Sequence, residues 1–191
     1  MKLNEKIKNS DDILEESIAT SMGIHRYLRT LDLKNIDEEY RCNFTTFYKV
    51  RLDKIYLKQI YDFFEEMTKE AKKGKTINFE DVFNKFHEIT KKNLISYTSK
   101  FMHTLYPESY AIWDSKVCSL LDIDDGEENA IKKYEAFNGE IHDFAKSESG
   151  QKLIKKFNLI FPKYQDITSI KKIDFALWGL GKSPNKSKYL S

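Results

Sequence analysis

Residues 94–121 read LISYTSKFMHTLYPESYAIWDSKVCSLL, two apolar segments separated by a short turn. Thr98 or Ser99 is suited to begin a first helix, because a hydroxyl side chain can accept a hydrogen bond from a free amide of the first turn. A proline ends that helix, and Asp114 or the serine after it caps a second one. The pattern therefore predicts that Lys100 lies near the start of one helix and Asp114 at the start of the next.

This order of lysine, helix, turn and aspartate resembles the helix-hairpin-helix DNA glycosylases, in which a hairpin L-P-G-V-G-x-K is followed by a helix and then by V-D-x-x-V. Residues 94–100 correspond to the hairpin and residues 112–117 to the acidic turn. The chain is most similar to the small bacterial proteins described as 8-oxoguanine glycosylase-like. It departs from the pattern where Ser96 and Thr98 replace the hairpin glycines and Ile95 replaces the proline.

The resemblance implies a lysine-dependent chemistry on damaged DNA. Lys100 would be the nucleophile that displaces an oxidised purine of the 8-oxoguanine type and forms a Schiff base with the sugar, with or without an AP-lyase step. Asp114 would accept the lysine proton or stabilise the positive charge on the sugar. We predict no cofactor and no metal. Both residues also have structural explanations, because Asp114 suits a helix N-cap and Lys100 can extend along the surface to reach water.

Such an enzyme must flip its target nucleotide out of the duplex and hold it by stacking and edge contacts. The predicted substrate-binding residues are Tyr97, Phe101, His103, Trp113 and Trp178. The two tryptophans and the histidine are equally understandable as core residues. The predicted contacts to the DNA backbone are Ser96, Thr98, Ser99, Lys91, Lys92 and Lys116.

Charge is unevenly distributed along the chain, although the net charge is only +2. Residues 151–191 carry nine basic and two acidic residues, whereas residues 121–150 carry three basic and nine acidic ones. One basic face of this kind suits double-stranded DNA as the partner. A lysine-rich solvated surface explains the same pattern without a nucleic acid.

Composition favours an all-α fold, and the resemblance implies a compact multi-helix domain similar to that of the helix-hairpin-helix DNA glycosylases. Aromatic residues make up 14% of the chain, whereas only 7 Gly and 3 Pro are available for tight turns. We expect residues 1–181 to form a single helical domain with residues 75–121 at its centre, followed by a basic flexible tail at 182–191. Two distant cysteines, no secretory leader and no long apolar run indicate a cytoplasmic monomer without a membrane segment.

The remaining sequence predicts further helices. Ser10 begins one, Asn78 caps another, and others cover residues 52–73, 130–137, 140–147, 151–161 and 170–180. Residues 41–50 favour helix or coil. The acidic run 122–128 lacks the ligand order of a calcium loop. Asp174 lies within the apolar last helix and needs a basic partner, for which Arg41 or Arg51 is suited.

Two other classes of function remain open from the sequence. The chain can be a noncatalytic DNA-binding relative of the glycosylases. Such a protein keeps the fold and binds DNA phosphates with an affinity that falls as the salt concentration rises. It can also be a helical protein-interaction domain. An open cleft that contains both Lys100 and Asp114 would favour the enzyme.

Overall fold

A computed structural model describes Leu3, Ile7 and residues 21–123 and 128–181. Every regular element in these ranges is a helix, which confirms the all-α prediction. The helices are α1 (Ser21–Thr30), α2 (Glu38–Tyr48), α3 (Lys54–Lys72), α4 (Phe79–Thr90), α5 (Ile95–Leu105), α6 (Ser115–Leu120), α7 (Ala130–Lys146), α8 (Glu148–Ile160), a 3₁₀ turn (Pro162–Tyr164) and α9 (Ser169–Leu180). The predicted start at Ser10, the centre of the acidic run and the tail at 182–191 lie outside the described residues.

Side-chain caps set several helix starts. Asn78 accepts hydrogen bonds from the amides of Glu80 and Asp81, so the predicted start of α4 is confirmed. Asp114 likewise caps α6 by accepting from the amide of Lys116 at 2.9 Å. These caps satisfy amides that have no partner within the first turn.

The start of α5 differs from the prediction. The helix begins at Ile95, so the residues assigned to a hairpin lie within its first two turns. The hydroxyl of Thr98 donates back to the carbonyl of Leu94 at 3.1 Å, and that of Ser99 donates to the carbonyl of Ser96 at 3.0 Å. Hydroxyl groups that donate to a carbonyl oxygen three or four residues earlier are typical of a helix interior. They do not cap the start of a helix.

Helix α7 is continuous where the sequence predicted two helices. It runs for 17 residues through Asn138 and Gly139, which were expected to interrupt it. The Asn138 side chain instead leaves the helix and accepts from the amide of Ala111 at 2.7 Å. Its amide nitrogen also donates to the carbonyl of Ser109 at 3.1 Å. A residue that favours turns therefore serves here to attach the preceding loop to α7.

All nine α-helices in the described ranges contribute to one hydrophobic core, with α5 near its centre. Helix α5 packs against α3, α4 and α7, while α9 packs against α6, α7 and α8. No helix in the described part of the chain is both long and apolar enough to cross a membrane. The arrangement brings one face of α5, the start of α6 and the buried helix α9 towards the same region.

Candidate functional site

Lys100 extends from α5 to a position just beneath the surface. The residue is only 7% exposed, and its amine donates to the Ser96 hydroxyl at 2.9 Å. The amine also lies 5.6 Å from the centre of the Tyr97 ring. Ser96 and Tyr97 are both partly exposed, whereas Lys100 itself is buried.

Burial lowers the pKa of the Lys100 amine, because removal of water disfavours the charged form. The nearby carboxylate of Asp114 opposes this shift by stabilising the cation. Asp114 is partly exposed at the start of α6, and the two groups make no direct ion pair in the described part of the chain. The carboxylate of Asp114 therefore influences the charge of the Lys100 amine without bonding to it.

His103 lies one turn beyond Lys100 on α5 and is completely buried. Its Nδ1 is 2.7 Å from the carbonyl oxygen of Tyr110, which can only accept, so Nδ1 carries the proton. Nε2 therefore accepts a hydrogen bond from the Tyr27 hydroxyl at 2.9 Å. Burial, reinforced by the charge of Lys171, lowers the pKa of His103 to about 3. The ring is neutral, completely buried and hydrogen-bonded through both nitrogens. It is therefore a structural group that cannot contact a base, contrary to the prediction.

The buried His103 should make the protein sensitive to acid. A histidine with a pKa near 6.5 when unfolded and about 3 when folded binds its proton preferentially in the unfolded state. Its contribution to stability is complete above pH 6.5 and is lost as the pH falls towards 3, by about 5 kcal/mol at most. We expect urea unfolding between pH 7.5 and 4.5 to show this slope in the native protein and a shallower one in His103→Gln. An equal free-energy difference between the two proteins at every pH would contradict it.

Phe101 and Trp113, predicted to hold a flipped base, are core residues. Phe101 is fully buried, and its ring centre is 4.4 Å from that of Phe64. Trp113 is 3% exposed and packs edge-on against Phe137 at 5.2 Å. The predicted role of these two side chains as a stacking platform is therefore wrong in this conformation, because packing already occupies their faces.

Thr98 and Ser99, predicted to contact phosphate, are also fully buried. The Ser99 oxygen accepts from the backbone amide of Trp113 at 2.9 Å and thereby joins α5 to the segment that leads into α6. Neither hydroxyl can reach a DNA backbone, so these two predictions are wrong. Ser96 is partly exposed, and its hydroxyl accepts a hydrogen bond from the Lys100 amine.

The other predicted site residues keep some solvent exposure. Tyr97 is partly exposed, but its hydroxyl bonds both the amide and the carbonyl of Arg51, at 2.6 and 2.9 Å. Trp178, on α9, is partly exposed as well. The three lysines predicted to contact DNA are all exposed: Lys91 and Lys92 lie in the turn before α5, and Lys116 lies in the first turn of α6.

Sequence reasoning missed the partner of Asp174. Arg41 pairs instead with Asp62 and Glu65, and the Asp174 carboxylate binds the amine of Lys171 at 2.6 Å. The two side chains are 13% and 3% exposed. A lysine three residues before an aspartate within an apolar helix was the available signal, because such residues share one helix face.

Comparison of the chain with protein-family models, with curated proteins and with solved structures finds no match.

Proposed function

We propose that this chain is a glycosylase-like enzyme that uses the Lys100 amine to remove an oxidised purine of the 8-oxoguanine type from DNA. The observation that carries the proposal is the burial of the Lys100 amine, whose charged form the Asp114 carboxylate stabilises. An exposed lysine keeps less than about 0.1% of its amine neutral at pH 7. Burial lowers the pKa of Lys100 and so enlarges the fraction that can act as a nucleophile.

The chemistry requires that the nitrogen of Lys100 attack the sugar carbon that bears the damaged base. The glycosidic bond breaks, and the base leaves with the bonding electrons and acquires a proton. Loss of a proton from the attached nitrogen and opening of the sugar then produce the Schiff base. Asp114 is near enough to act on charge at Lys100, so it is suited to accept that proton or to stabilise the cationic sugar.

Exposed positive charge near the two helix starts supports DNA as the partner. Lys91 and Lys92 precede α5, and Lys116 lies in the first turn of α6. These three lysines therefore flank the segments that hold Lys100 and Asp114. Lysines of this kind attract phosphate without reading sequence.

A second candidate is a noncatalytic DNA-binding protein. The specific observation in its favour is the burial of Phe101, His103 and Trp113, which leaves Tyr97 and Trp178 as the predicted stacking residues with any exposed surface. A protein that binds phosphate without flipping a base needs no further aromatic residues for stacking. The burial of the other three side chains is compatible with this function.

Borohydride trapping on a duplex containing 8-oxoguanine tests the enzymatic proposal. We expect a covalent adduct with the native protein and none with Lys100→Gln, because glutamine cannot form a Schiff base. The affinity for DNA should change only a few-fold, since one buried amine is not a major phosphate contact. The matched control is Lys163→Gln, an exposed lysine outside the predicted DNA contacts, whose loss should leave the adduct intact.

An adduct that persists in Lys100→Gln, or no adduct with the native protein across a panel of lesions, would contradict the enzymatic proposal. DNA affinity measured at several salt concentrations then separates the remaining functions. A noncatalytic DNA-binding protein should bind less tightly as salt rises, and replacing Lys91, Lys92 and Lys116 by glutamine should reduce that dependence. A protein-interaction domain should show no such binding.

A further inference from the structure

Three exposed cations lie in residues 49–54, the segment that joins α2 to α3. They are Lys49, Arg51 and Lys54, and Asp53 is the one acidic residue of the segment. Within the part of the chain that the structure describes, none of the three cations forms an ion pair with a carboxylate. Their charge is therefore available to a partner in solution.

Hydrogen bonds and burial hold the backbone of this segment in one position. The amide of Val50 donates to the carbonyl of Thr45 at 2.9 Å, and the Val50 side chain is buried. Lys49 ends α2 in the left-handed conformation, with a φ of 52°, and its amide donates to the same carbonyl. Glycine suits this conformation better than lysine does. The chain therefore places a cation at a position where glycine would cost less conformational energy.

Tyr97 joins the segment to the Lys100 site. The hydroxyl of Tyr97 accepts from the amide of Arg51 at 2.6 Å and donates to the carbonyl of the same residue at 2.9 Å. The centre of the Tyr97 ring lies 5.6 Å from the Lys100 amine. Because one side chain contacts both residues, it fixes the position of Arg51 relative to the amine. Tyr97 lies in the first turn of α5, directly after the turn that contains Lys91 and Lys92, so two basic segments adjoin this turn.

We propose that residues 49–54 form a phosphate-binding segment, whose three cations contact the DNA backbone next to the Lys100 site. Tyr97 is the positioning residue that sets the distance between Arg51 and the amine. The choice of DNA as the partner rests on the proposed function. Cations whose backbone is fixed before binding lose less freedom when they contact phosphate. Phosphate contacts in turn fix the register of a protein on a duplex, so the segment sets which sugar meets Lys100.

Salt-dependent binding of DNA tests the role of the three cations. We would measure the affinity of the full chain for a duplex containing 8-oxoguanine, and for the same duplex undamaged, at several salt concentrations. Arg51→Gln, Lys54→Gln and Lys49→Gln should each weaken binding to both duplexes. Each should also reduce the slope of log affinity against log salt concentration by about one. The matched control is Lys163→Gln, on the 3₁₀ turn, which should leave the slope unchanged.

Unchanged slopes in the three variants, or no salt-dependent binding by the native protein, would overturn the proposal. The binding measurement does not depend on Schiff-base formation, so its failure is distinguishable from that of the enzymatic proposal. Reduced slopes without a borohydride adduct would support the segment and contradict the enzyme. An adduct with unchanged slopes would contradict the segment alone.

Lys49→Gly separates the charge of this lysine from any structural role. Because glycine suits the left-handed conformation, the variant should unfold at a higher urea concentration than the native protein while it binds DNA less tightly. A lysine that serves only to stabilise the end of α2 through the helix dipole would behave differently. Its loss would lower the urea midpoint and leave the DNA affinity unchanged, and that result would overturn the role of Lys49 in binding.

Tyr97→Phe tests the positioning role, because it removes both hydrogen bonds to Arg51 and keeps the ring beside Lys100. In the native protein Arg51→Gln should weaken DNA binding severalfold, and in Tyr97→Phe the same replacement should weaken it less. A tyrosine that merely stabilises the fold would leave the effect of Arg51→Gln equal in both proteins, since independent sites are additive. Equal effects would overturn the positioning role.

Discussion

Replacing Gly150 by alanine should destabilise the protein by about 3 kcal/mol or more, because the added methyl group has no space. A Cβ atom at Gly150 would lie 1.8 Å from the carbonyl oxygen of Phe144 and 2.7 Å from its carbonyl carbon. These are backbone atoms at the end of α7, and the Phe144 side chain is 1% exposed, so they cannot move aside easily. The clash would force α7 and α8 apart at their junction.

Gly139 provides the matched control within the same pair of helices. It lies in the interior of α7, and a Cβ atom there would meet nothing within 4 Å. Gly139→Ala should therefore stabilise the protein by about 0.5–1 kcal/mol, since alanine favours helix more strongly than glycine does. Urea unfolding of both variants measures the two effects. Equal effects would show that the junction of α7 and α8 is looser than the structure indicates.

The sequence predicts a helix well where local chemistry decides its ends. The cap at Asn78 and the apolar last helix needed only nearby residues, and both are confirmed. The continuity of α7 was not predictable in this way. Asn138 usually signals a turn, but here it bonds residues Ser109 and Ala111, nearly 30 positions away. Only the folded chain brings these partners together.

The candidate site was likewise predictable only where nearby residues decide the structure. The sequence was sufficient to predict that Asp114 caps the helix that follows the one carrying Lys100, and this cap is confirmed. Burial of the residues around them depends on which helices cover α5. That information is tertiary, so an aromatic residue that stacks on a base and one that packs in the core look alike in sequence. Phe101 and Trp113 illustrate the difference.

Replacing Asp174 by alanine should destabilise the protein by about 3–5 kcal/mol, because the Lys171 amine would remain buried without a counter-charge. The Phe175 ring, whose centre lies 4.5 Å from the amine, attracts the cation, but it cannot replace a carboxylate at 2.6 Å. Equilibrium unfolding in urea gives the loss directly. The matched control is Glu88→Ala, which breaks an ion pair of the same spacing with Lys85 on the surface of α4 and should change stability little.

The double variant Lys171→Met/Asp174→Leu distinguishes the effect of a stranded charge from the worth of the pair itself. Apolar side chains of similar size need no hydration, and methionine packs well against aromatic rings such as Phe175. We therefore expect the double variant to recover most of the stability lost in Asp174→Ala, and even to exceed the native protein. A stable double variant would show that the fold does not require the ion pair itself. A double variant as unstable as Asp174→Ala would show instead that the pair itself holds α9 in place.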